Sequence, residues 1–339
     1  MVRISDVAKM ANVSTATVSR VLSNSGNVKK ETAEKVLEAI KKLNYQPNSL
    51  ARQLRRLETK TILVVVPDIT NTFFSKILRG IEHVAIENGY EVLLGDTSND
   101  KKRESGYLDI LRQKKADGMI MLTARLEPHL LEEISLEFPV VLACEYLEGS
   151  SIPTVSIDNI SGARKATEYL ISLGHKRIGF LSGPMDVILS RDRLKGYKQA
   201  MAHHDLPVEP HLVQEGDFTF ESGYNLMLKF LAFDKPPTAV FASSDEMAIG
   251  AIKAIKSKGL HVPDDISVIG FDNIKFASIF EPALTTISQP MYEIGLKAME
   301  LLLKIINKEN LERNQFILND QLIIRSTCKH FSKKSHIPS

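Results

Sequence analysis

The chain has 339 residues, 43% of them hydrophobic and 25% charged, which is typical of a globular protein with two or three domains. Its net charge of +2 conceals an uneven distribution: residues 1–60 contain 12 Lys and Arg against 5 Asp and Glu, whereas residues 61–339 contain 31 against 36. A basic amino-terminal segment indicates a polyanionic partner such as nucleic acid, although charge alone also fits a solvated basic surface.

Cysteine content and hydropathy argue against several protein classes. Cys144 and Cys328 are the only cysteines and form no CxxC pair, so we expect neither a disulfide framework nor a cysteine-ligated zinc site. The amino terminus carries acidic residues and lacks the apolar core of a signal peptide. Apolar runs such as residues 62–66 are far shorter than the ~20 residues needed to span a bilayer. We therefore expect a cytoplasmic protein that binds no membrane, metal or cofactor.

The first 46 residues have the apolar spacing of short helices. Val7, Ala8 and Ala11 recur at helical intervals after Ser5. Residues 12–14 break the pattern, and Ser14 can cap a second helix by accepting a backbone N–H bond. A third helix is predicted before Pro47 from an apolar stripe that comprises Val36, Leu37, Ile40 and Leu43. The segment is therefore predicted to be a small all-α domain.

Two helices joined by a tight turn are typical of a helix-turn-helix motif, whose second helix enters the DNA major groove with its amino-terminal side chains leading. In this interpretation Val18 and Val21 hold the second helix to its neighbour, and Ala8 is small enough for the two helices to cross. The side chains that would face bases or phosphates are Thr15, Ala16, Ser19 and Arg20. The pattern alone also fits other small helical bundles.

From Thr61 onwards, β-branched apolar runs alternate with helical stretches. Such alternation predicts parallel sheets with helices on both faces. About 265 residues exceed one compact sheet, and residues 157–161 are the predicted crossing into a second lobe. The predicted strands comprise TILVVV, EVLLGD, GMIML, PVVLA, TVSID, RIGFLSG, TAVFASS and SVIGFD.

Ligands of open α/β sheets bind at the carboxyl ends of the strands, so polar and aromatic residues near those ends are candidates for binding a small molecule. Arg193 offers a planar donor fork and Asp272 an acceptor pair, which suit the vicinal hydroxyls of a sugar or ribose. Phe73 and Phe241 could stack on a base or a sugar face. Phe74 also fits a core role, and Asp245 also fits a helix cap. The full set of candidate ligand-binding residues comprises Asn71, Phe73, Phe74, Thr123, Arg193, Phe241, Asp245 and Asp272.

Ten blocks of sequence, taken in their order along the chain, carry a resemblance to a known protein family. They comprise residues 4–22 (ISDVAKMANVSTATVSRVL), 27–54, 71–82 (NTFFSKILRGIE), 116–122, 156–159, 174–184 (GHKRIGFLSGP), 193–201, 237–251 (PTAVFASSDEMAIGA), 265–273 (DISVIGFDN) and 282–290. From about Arg3 to Thr327 this series resembles the LacI/GalR family of bacterial transcription regulators. The resemblance implies a helix-turn-helix domain (1–46), a hinge helix and linker (47–60), a two-lobed periplasmic-binding-protein-like body that binds an effector and dimerises (61–327), and a flexible tail (328–339).

The resemblance also implies how the hinge helix acts. Two copies meet over the operator, and Leu54, preceded by Ala51 and Arg52, enters the minor groove and kinks the duplex. A leucine wedge costs a few kcal/mol of base unstacking, which closer groove contacts offset; Leu54 could instead be an interdomain contact. The expected DNA-binding set comprises Ser5, Thr15, Ala16, Ser19, Arg20, Asn27, Leu54 and Arg55.

The resemblance implies a homodimeric repressor whose operator affinity responds to a small molecule. It favours a nucleoside such as cytidine that releases DNA, with a sugar or a purine as alternatives, and it places Arg193 and Asp272 among the ligand contacts. Val187 and Leu189 stand where purine-responsive members carry polar base-reading residues, which argues against a purine.

Two other classes of protein fit the sequence less well. Catalysis is disfavoured because the sequence has no GxGxxG, Walker, HExxH or GxSxG motif, and His175 fits a structural role at a helix–strand turn. A secreted solute-binding protein is disfavoured by the basic amino-terminal segment and the missing signal peptide.

Overall fold

The computed structural model describes residues 2–22, 28–45 and 58–332. The chain divides into two compact units, Met1–Thr59 and Lys60–Ser339, which we call the head and the body. Within the described ranges, none of the helices is long and apolar enough to cross a lipid bilayer.

The head contains three helices, α1 (Ile4–Met10), α2 (Thr15–Leu22) and α3 (Lys30–Leu43). They enclose a small core of fully or nearly fully buried side chains that comprises Val7, Ala8, Ala11, Val18, Val36 and Ala39. The chain reverses between α1 and α2 at Asn12, which has a positive φ of 52°, a conformation that asparagine tolerates better than most residues. The structure therefore has the tight turn and the small residue at the helix crossing that the sequence predicts.

Local hydrogen bonds set the helix ends in the head. Ser14 Oγ accepts a bond from the backbone N–H of Thr17 at 3.1 Å, so the predicted cap of α2 is confirmed. Helix α1 begins earlier than predicted, at Ile4, because the Asp6 carboxylate accepts a bond from the Arg3 backbone N–H. The prediction that Leu37 belongs to the buried apolar face of α3 is wrong, since its side chain is 55% exposed. Ala39 is buried on that face instead.

The body contains two six-stranded sheets. The first sheet has the order β11-β5-β4-β3-β1-β2, and all its neighbouring strands are parallel. Its strands are β1 (Thr61–Val66), β2 (Glu91–Asp96), β3 (Gly118–Met121), β4 (Val140–Ala143), β5 (Thr154–Ile157) and β11 (Gln315–Leu318).

Helices cover both faces of the first sheet. They are α4 (Thr72–Glu87), α5 (Lys101–Arg112), α6 (Pro128–Glu137) and α12 (Met291–Ile306). In β1, Ile62 and Val64 pack with α4 and α12, whereas Leu63 and Val65 pack with α5 and α6. An uninterrupted apolar run suits such a strand because both of its faces are buried. This sheet and its helices form the first lobe.

The second lobe is built around the sheet β12-β10-β9-β8-β6-β7, which is parallel except for the antiparallel edge strand β12. Its strands are β6 (Ile178–Ser182), β7 (Val213–Glu215), β8 (Ala239–Ala242), β9 (Ser267–Asp272), β10 (Thr285–Ser288) and β12 (Gln321–Ile323). Its helices are α7 (Asn159–Ser172), α8 (Ile188–His203), α9 (Phe220–Leu231), α10 (Asp245–Ser257) and the short α11 (Lys275–Ile279), with a 3-10 turn at Pro210–Leu212. The predicted two-lobed α/β body with parallel sheets is thus present.

The chain passes between the lobes three times. The first passage follows β5 at Asp158, the second follows β10 at residues 289–290, and the third lies between β11 and β12. The first passage falls within the stretch that the sequence indicated, whereas the other two were not predicted.

The carboxyl-terminal segment differs from expectation, because residues 328–331 pack on the second lobe. The Cys328 thiol donates to the Val268 carbonyl at 3.2 Å, and the Phe331 N–H donates to the Leu173 carbonyl at 2.8 Å. The buried His175 ring contacts both the Ser267 hydroxyl and the Lys329 carbonyl at 3.1 Å through Nε2, and burial lowers its pKa. His175 is therefore placed in the structural role that its sequence context suggested.

Candidate functional site

A cleft between the two lobes lies at the carboxyl ends of the strands of both sheets, the position expected for an open α/β architecture. It contains about 790 Å³ of space between protein atoms, counting the solvent at its mouth. The first lobe contributes Pro67, Asp68, Asn71, Phe73, Phe74, Asn99, Leu122, Arg125, Cys144 and Glu145. The second lobe and the passage after β10 contribute Leu189, Arg193, Asp217, Phe218, Thr219, Ser244, Glu246, Asp272 and Gln289.

Arg193, on the first turns of α8, is held rigidly at the second-lobe wall. Its Nε donates to Asn159 Oδ1 at 2.9 Å, and its Nη1 donates to the Ser243 carbonyl at 2.5 Å. The guanidinium also lies 3.9 Å from the centroid of the Phe271 ring, a cation–π contact that gains strength away from water. These contacts fix the plane of the fork and leave the Nη2 side directed at the carboxylate of Asp272, 3.8 Å away.

Asp272, the last residue of β9, is the acceptor of the pair. Its Oδ1 accepts a bond from Gln289 Nε2 at 2.7 Å, and its backbone has a φ of 119°, which an L-residue adopts only under strain. Burial raises the pKa of the carboxyl group, and the nearby Arg193 charge opposes that shift. A carboxylate on a strained backbone, held by one amide donor and beside a guanidinium at the wall of a cleft, is suited to bind hydroxyl groups.

Three predicted residues lie together on the first-lobe wall. Asn71 caps α4 by accepting a bond from the Phe73 N–H at 2.9 Å. The rings of Phe73 and Phe74 meet edge to face with centroids 5.0 Å apart, and Phe74 is the less buried of the two. Asn71, Phe73, Phe74, Arg193 and Asp272 therefore all line one cleft.

Three other predicted residues need correction. Phe241 does not reach the cleft, because it points from β8 into the core and packs between Phe180 and Phe271, with centroid separations of 5.2 and 6.4 Å. Asp245 is fully buried behind the cleft, where its carboxylate accepts bonds from the Thr286 hydroxyl and the Ile274 N–H. Thr123 is fully buried and does not line the cleft.

The sequence interpretation missed several groups that line the cleft. Cys144 and Glu145 directly follow β4, so their place at the carboxyl end of a predicted strand is the signal that could have found them. Burial raises the pKa of Glu145 to about 7 and that of the Cys144 thiol well above its ordinary range. Phe218 lies in a loop with a φ of 69° and packs so closely on Gly183 that a Cβ there would overlap the ring; no sequence pattern indicates this contact.

Side chains also join the lobes across the cleft. The Tyr146 hydroxyl donates to Asp192 Oδ2 at 2.9 Å, and Arg125 Nη1 lies 3.8 Å from Asp186 Oδ2. Both contacts join a first-lobe loop to the α8 region of the second lobe. A ligand that changes the distance between the lobes therefore has to make or break them.

The head presents a polar face on α2. Thr15, Ala16 and Arg20 are exposed and Ser19 is half-buried, while Val18 is fully buried on the opposite side. Ser5 on α1 is also exposed. The predicted DNA contacts Asn27, Leu54 and Arg55, together with Ala51 and Arg52, lie outside the residues that the structure describes.

Two family models match the chain. Residues 3–48 match the model described as "Bacterial regulatory proteins, lacI family". Residues 59–327 match the model described as "Periplasmic binding proteins and sugar binding domain of LacI family". The chain belongs to the LacI family. The resemblance inferred from the sequence blocks is thereby confirmed.

Relatives of this LacI-family chain extend over nearly its whole length. The HTH-type transcriptional repressor CytR of Escherichia coli (strain K12) is 44% identical over 96% of this chain and 95% of its own length. The HTH-type transcriptional repressor PurR of Histophilus somni (strain 129Pt) is 39% identical over 97% of this chain and 99% of its own length. Four sequence blocks predict greatest similarity to the cytidine repressor with the purine repressor next, and these identities follow that order. The blocks are residues 61–82, 216–223, 289–295 and 321–327.

Among solved structures, the lac repressor dimer bound to operator and the anti-inducer ONPF resembles this chain with a TM-score of 0.88. That structure is 29% identical, with 97% of this chain and 99% of the other covered. The LacI-family chain is a DNA-binding transcription regulator and not an enzyme, as the sequence predicts.

Proposed function

We propose that this LacI-family regulator is a repressor that binds operator DNA as a homodimer, and that a nucleoside such as cytidine binds in the cleft and releases it from DNA. The observation that carries the proposal is that the cleft is lined by two chemically different kinds of side chain. Arg193 and Asp272 form a polar part with donors and acceptors, while Phe73, Phe74 and Phe218 form an aromatic part. A nucleoside has the same division, because its ribose carries vicinal hydroxyls and its base has two apolar faces.

Residue chemistry supports a pyrimidine over a purine. Leu189 lines the cleft and Val187 is buried beside it, so this loop offers no polar side chain to a purine at either position. The sequence blocks that resemble the cytidine repressor favour cytidine and release from DNA, and the 44% identity to the HTH-type transcriptional repressor CytR agrees with that resemblance.

A sugar is the second candidate effector. A LacI-family regulator of Enterococcus faecium was solved with bound ribose, and it resembles this chain with a TM-score of 0.72 at 29% identity, covering 80% of this chain and 100% of the other. Arg193 and Asp272 alone would suit such a ligand. The aromatic part of the cleft would then contact only the sugar ring, which makes ribose a weaker fit than a nucleoside.

DNA binding is assigned to the polar face of α2, with Thr15, Ala16, Ser19 and Arg20 leading into the major groove. Ser5, Asn27 and Arg55 complete the proposed contacts, and Leu54 is the proposed minor-groove wedge. A dimer is proposed because two heads are needed to read a palindrome, and because the similar lac repressor binds its operator as a dimer. The proposed divisions are a DNA-binding domain (1–46), a hinge and linker (47–60) and an effector-binding body (61–327) followed by a short tail.

A thermal-shift screen tests the effector. A ligand that binds only the folded protein raises the melting temperature, and the increase grows with the ratio of the ligand concentration to its Kd. We expect cytidine to raise the midpoint more than ribose, adenosine or cellobiose, and Asp272→Ala to remove that shift. A larger response to ribose or adenosine than to cytidine would contradict the nucleoside assignment.

Operator release requires a second measurement. Duplexes selected by the protein from a randomised pool can be labelled and followed by fluorescence anisotropy. We expect cytidine to dissociate the complex of the wild-type protein and to leave that of Asp272→Ala intact. Tighter DNA binding with cytidine would show co-repression instead of release.

A further inference from the structure

The first-lobe wall of the cleft holds an acid whose hydrogen-bonding capacity is only partly used. Glu145 is 6% exposed and lines the cleft. Its Oε2 accepts a bond from the Ala124 N–H at 2.9 Å, and within the described part of the chain the structure gives Oε1 no hydrogen bond. Because Glu145 lines the cleft, Oε1 is available to a ligand that enters it.

A guanidinium stands beside this acid. Arg125 follows Ala124 and lines the same wall. Its Nε is buried without a hydrogen-bond partner among the described residues, and Nη1 makes only the 3.8 Å contact to Asp186. An arginine has five N–H donors in a fixed plane, so most of this donor set is uncommitted.

The surroundings of the two groups suit a planar ligand. Phe74, Leu122 and Phe218 line the same cleft and offer apolar surfaces to the faces of a ring. Glu145 and Arg125 offer only polar contacts, which suit the edge of a ring. Arg193 and Asp272, the groups assigned to ribose, belong to the opposite lobe.

We propose that Glu145 and Arg125 read the hydrogen-bonding edge of a cytosine base, and that Glu145 does so as a neutral carboxylic acid. The inference rests on the nucleoside effector proposed above. With the proton on Oε1, the acid donates to the N3 acceptor of cytosine, and Oε2 accepts from the 4-amino group. An Arg125 N–H donates to the O2 acceptor. The carboxylic acid thus offers one donor and one acceptor, which match the N3 acceptor and the 4-amino donor of cytosine.

The charges around Glu145 favour the neutral acid. Burial raises its pKa to about 7, and the carboxylates of Glu104 and Asp186 act in the same direction. The Ala124 N–H and the Arg125 charge oppose the shift, and the neighbouring Cys144 thiol stays protonated because its own pKa is raised. Near neutral pH a substantial fraction of the protein therefore carries the proton that cytosine requires.

Uracil makes the opposite demand. It presents an N3–H donor where cytosine presents an acceptor, and an ionised carboxylate accepts that bond without a proton. Cytidine affinity is therefore expected to fall on the order of tenfold per pH unit above about 7, whereas uridine affinity is not expected to fall in this way.

Isothermal titration of the full chain with cytidine and with uridine at pH 6, 7, 8 and 9 tests the inference. Glu145→Gln replaces the acid by an amide that also accepts and donates but does not titrate. We expect it to retain the pH 6 affinity for cytidine within a few-fold and to lose the pH dependence. Glu145→Ala is expected to weaken cytidine binding roughly 5- to 150-fold, as for loss of one bidentate base contact. Glu148→Gln, at an exposed position three residues along the same loop, is the matched control and should behave as wild type.

The outcomes separate this inference from the proposed function. Cytidine binding that is unchanged in Glu145→Ala, or a pH dependence that persists in Glu145→Gln, overturns the inference alone. Failure of the wild-type protein to bind cytidine at any pH overturns the proposed effector and the inference with it. Melting curves of each variant establish that it is folded at the temperature of the titration.

Discussion

The buried carboxyl group of Glu145 couples the stability of the body to pH. Its folded-state pKa of about 7 lies above its ordinary value of 4.5, so the folded protein holds this proton more tightly than the unfolded chain does. The resulting contribution to stability is fully present below pH 4.5 and is lost as pH rises through 7. Above pH 7, the loss amounts to about 3 kcal/mol for a shift of this size.

Glu145→Gln should remove this dependence. The amide oxygen can still accept the Ala124 N–H bond, and no charge has to be buried at high pH. We expect the difference in unfolding free energy, variant minus wild type, to be larger at pH 8 than at pH 5. Urea denaturation at both pH values measures it, and a difference that does not change with pH would contradict the assigned pKa.

Arg20 is the charged member of the proposed base-reading face of α2. If it contacts a base edge, Arg20→Ala should reduce the preference for selected over random duplexes by ~1–3 kcal/mol. Anisotropy titrations on both duplexes at several salt concentrations measure the preference. Equal weakening on both duplexes, with a shallower salt dependence, would instead identify Arg20 as a phosphate contact.

At the scale of elements, α4 and α12 of the first lobe touch through two glycines. A Cβ on Gly80 would lie 2.2 Å from the Tyr292 carbonyl oxygen, and a Cβ on Gly295 would lie 2.1 Å from that of Ile77. The helices therefore meet backbone to backbone, at a distance that no larger residue permits. This close contact fixes the position of α4, whose amino terminus carries Asn71 and Phe73.

Gly295→Ala should destabilise the body although alanine favours helix formation. Overpacking costs typically ~1–3 kcal/mol, more than the ~1 kcal/mol that alanine gains over glycine in a helix. Gly106→Ala in α5 is the matched control, because a Cβ there meets nothing within 4 Å, and it should stabilise the protein. Chemical denaturation measures the unfolding free energy of both variants. A change of the same sign in the two variants would contradict this explanation by packing.

The sequence predicts the elements of this fold better than the direction of individual side chains. Eight strands were predicted from their apolar runs, which are buried on both faces except in the edge strand β2. The strands that were not predicted are β7, β10, β11 and β12, of which β7 and β12 are three-residue edge strands without an apolar run. Strand ends located the cleft but did not show which side chains enter it. Phe241 alternates away into the core, and Asp245 is engaged by backbone and hydroxyl donors from β10 and the loop after β9.

At the scale of the whole molecule, effector and DNA affinities must be linked in both directions. If cytidine lowers operator affinity by some factor, operator must lower cytidine affinity by the same factor. We expect titrations of cytidine with and without selected DNA to give that equality for the wild-type protein. Asp272→Ala should keep ligand-free DNA affinity within a few-fold of wild type and lose the response to cytidine. A normal response in this variant would show that the effector site has been misplaced.

The last two strands of the body also bear on how the protein is made. β11 and β12 complete the two different sheets, and both come from residues 315–323. A ribosome adds roughly 5–20 residues per second, so neither lobe acquires its final strand until on the order of 15–60 s after residue 45 has been added. The three-helix head has its own core, so its folding does not depend on those two strands. A nascent chain can therefore complete the proposed DNA-binding surface well before the cleft between its lobes exists.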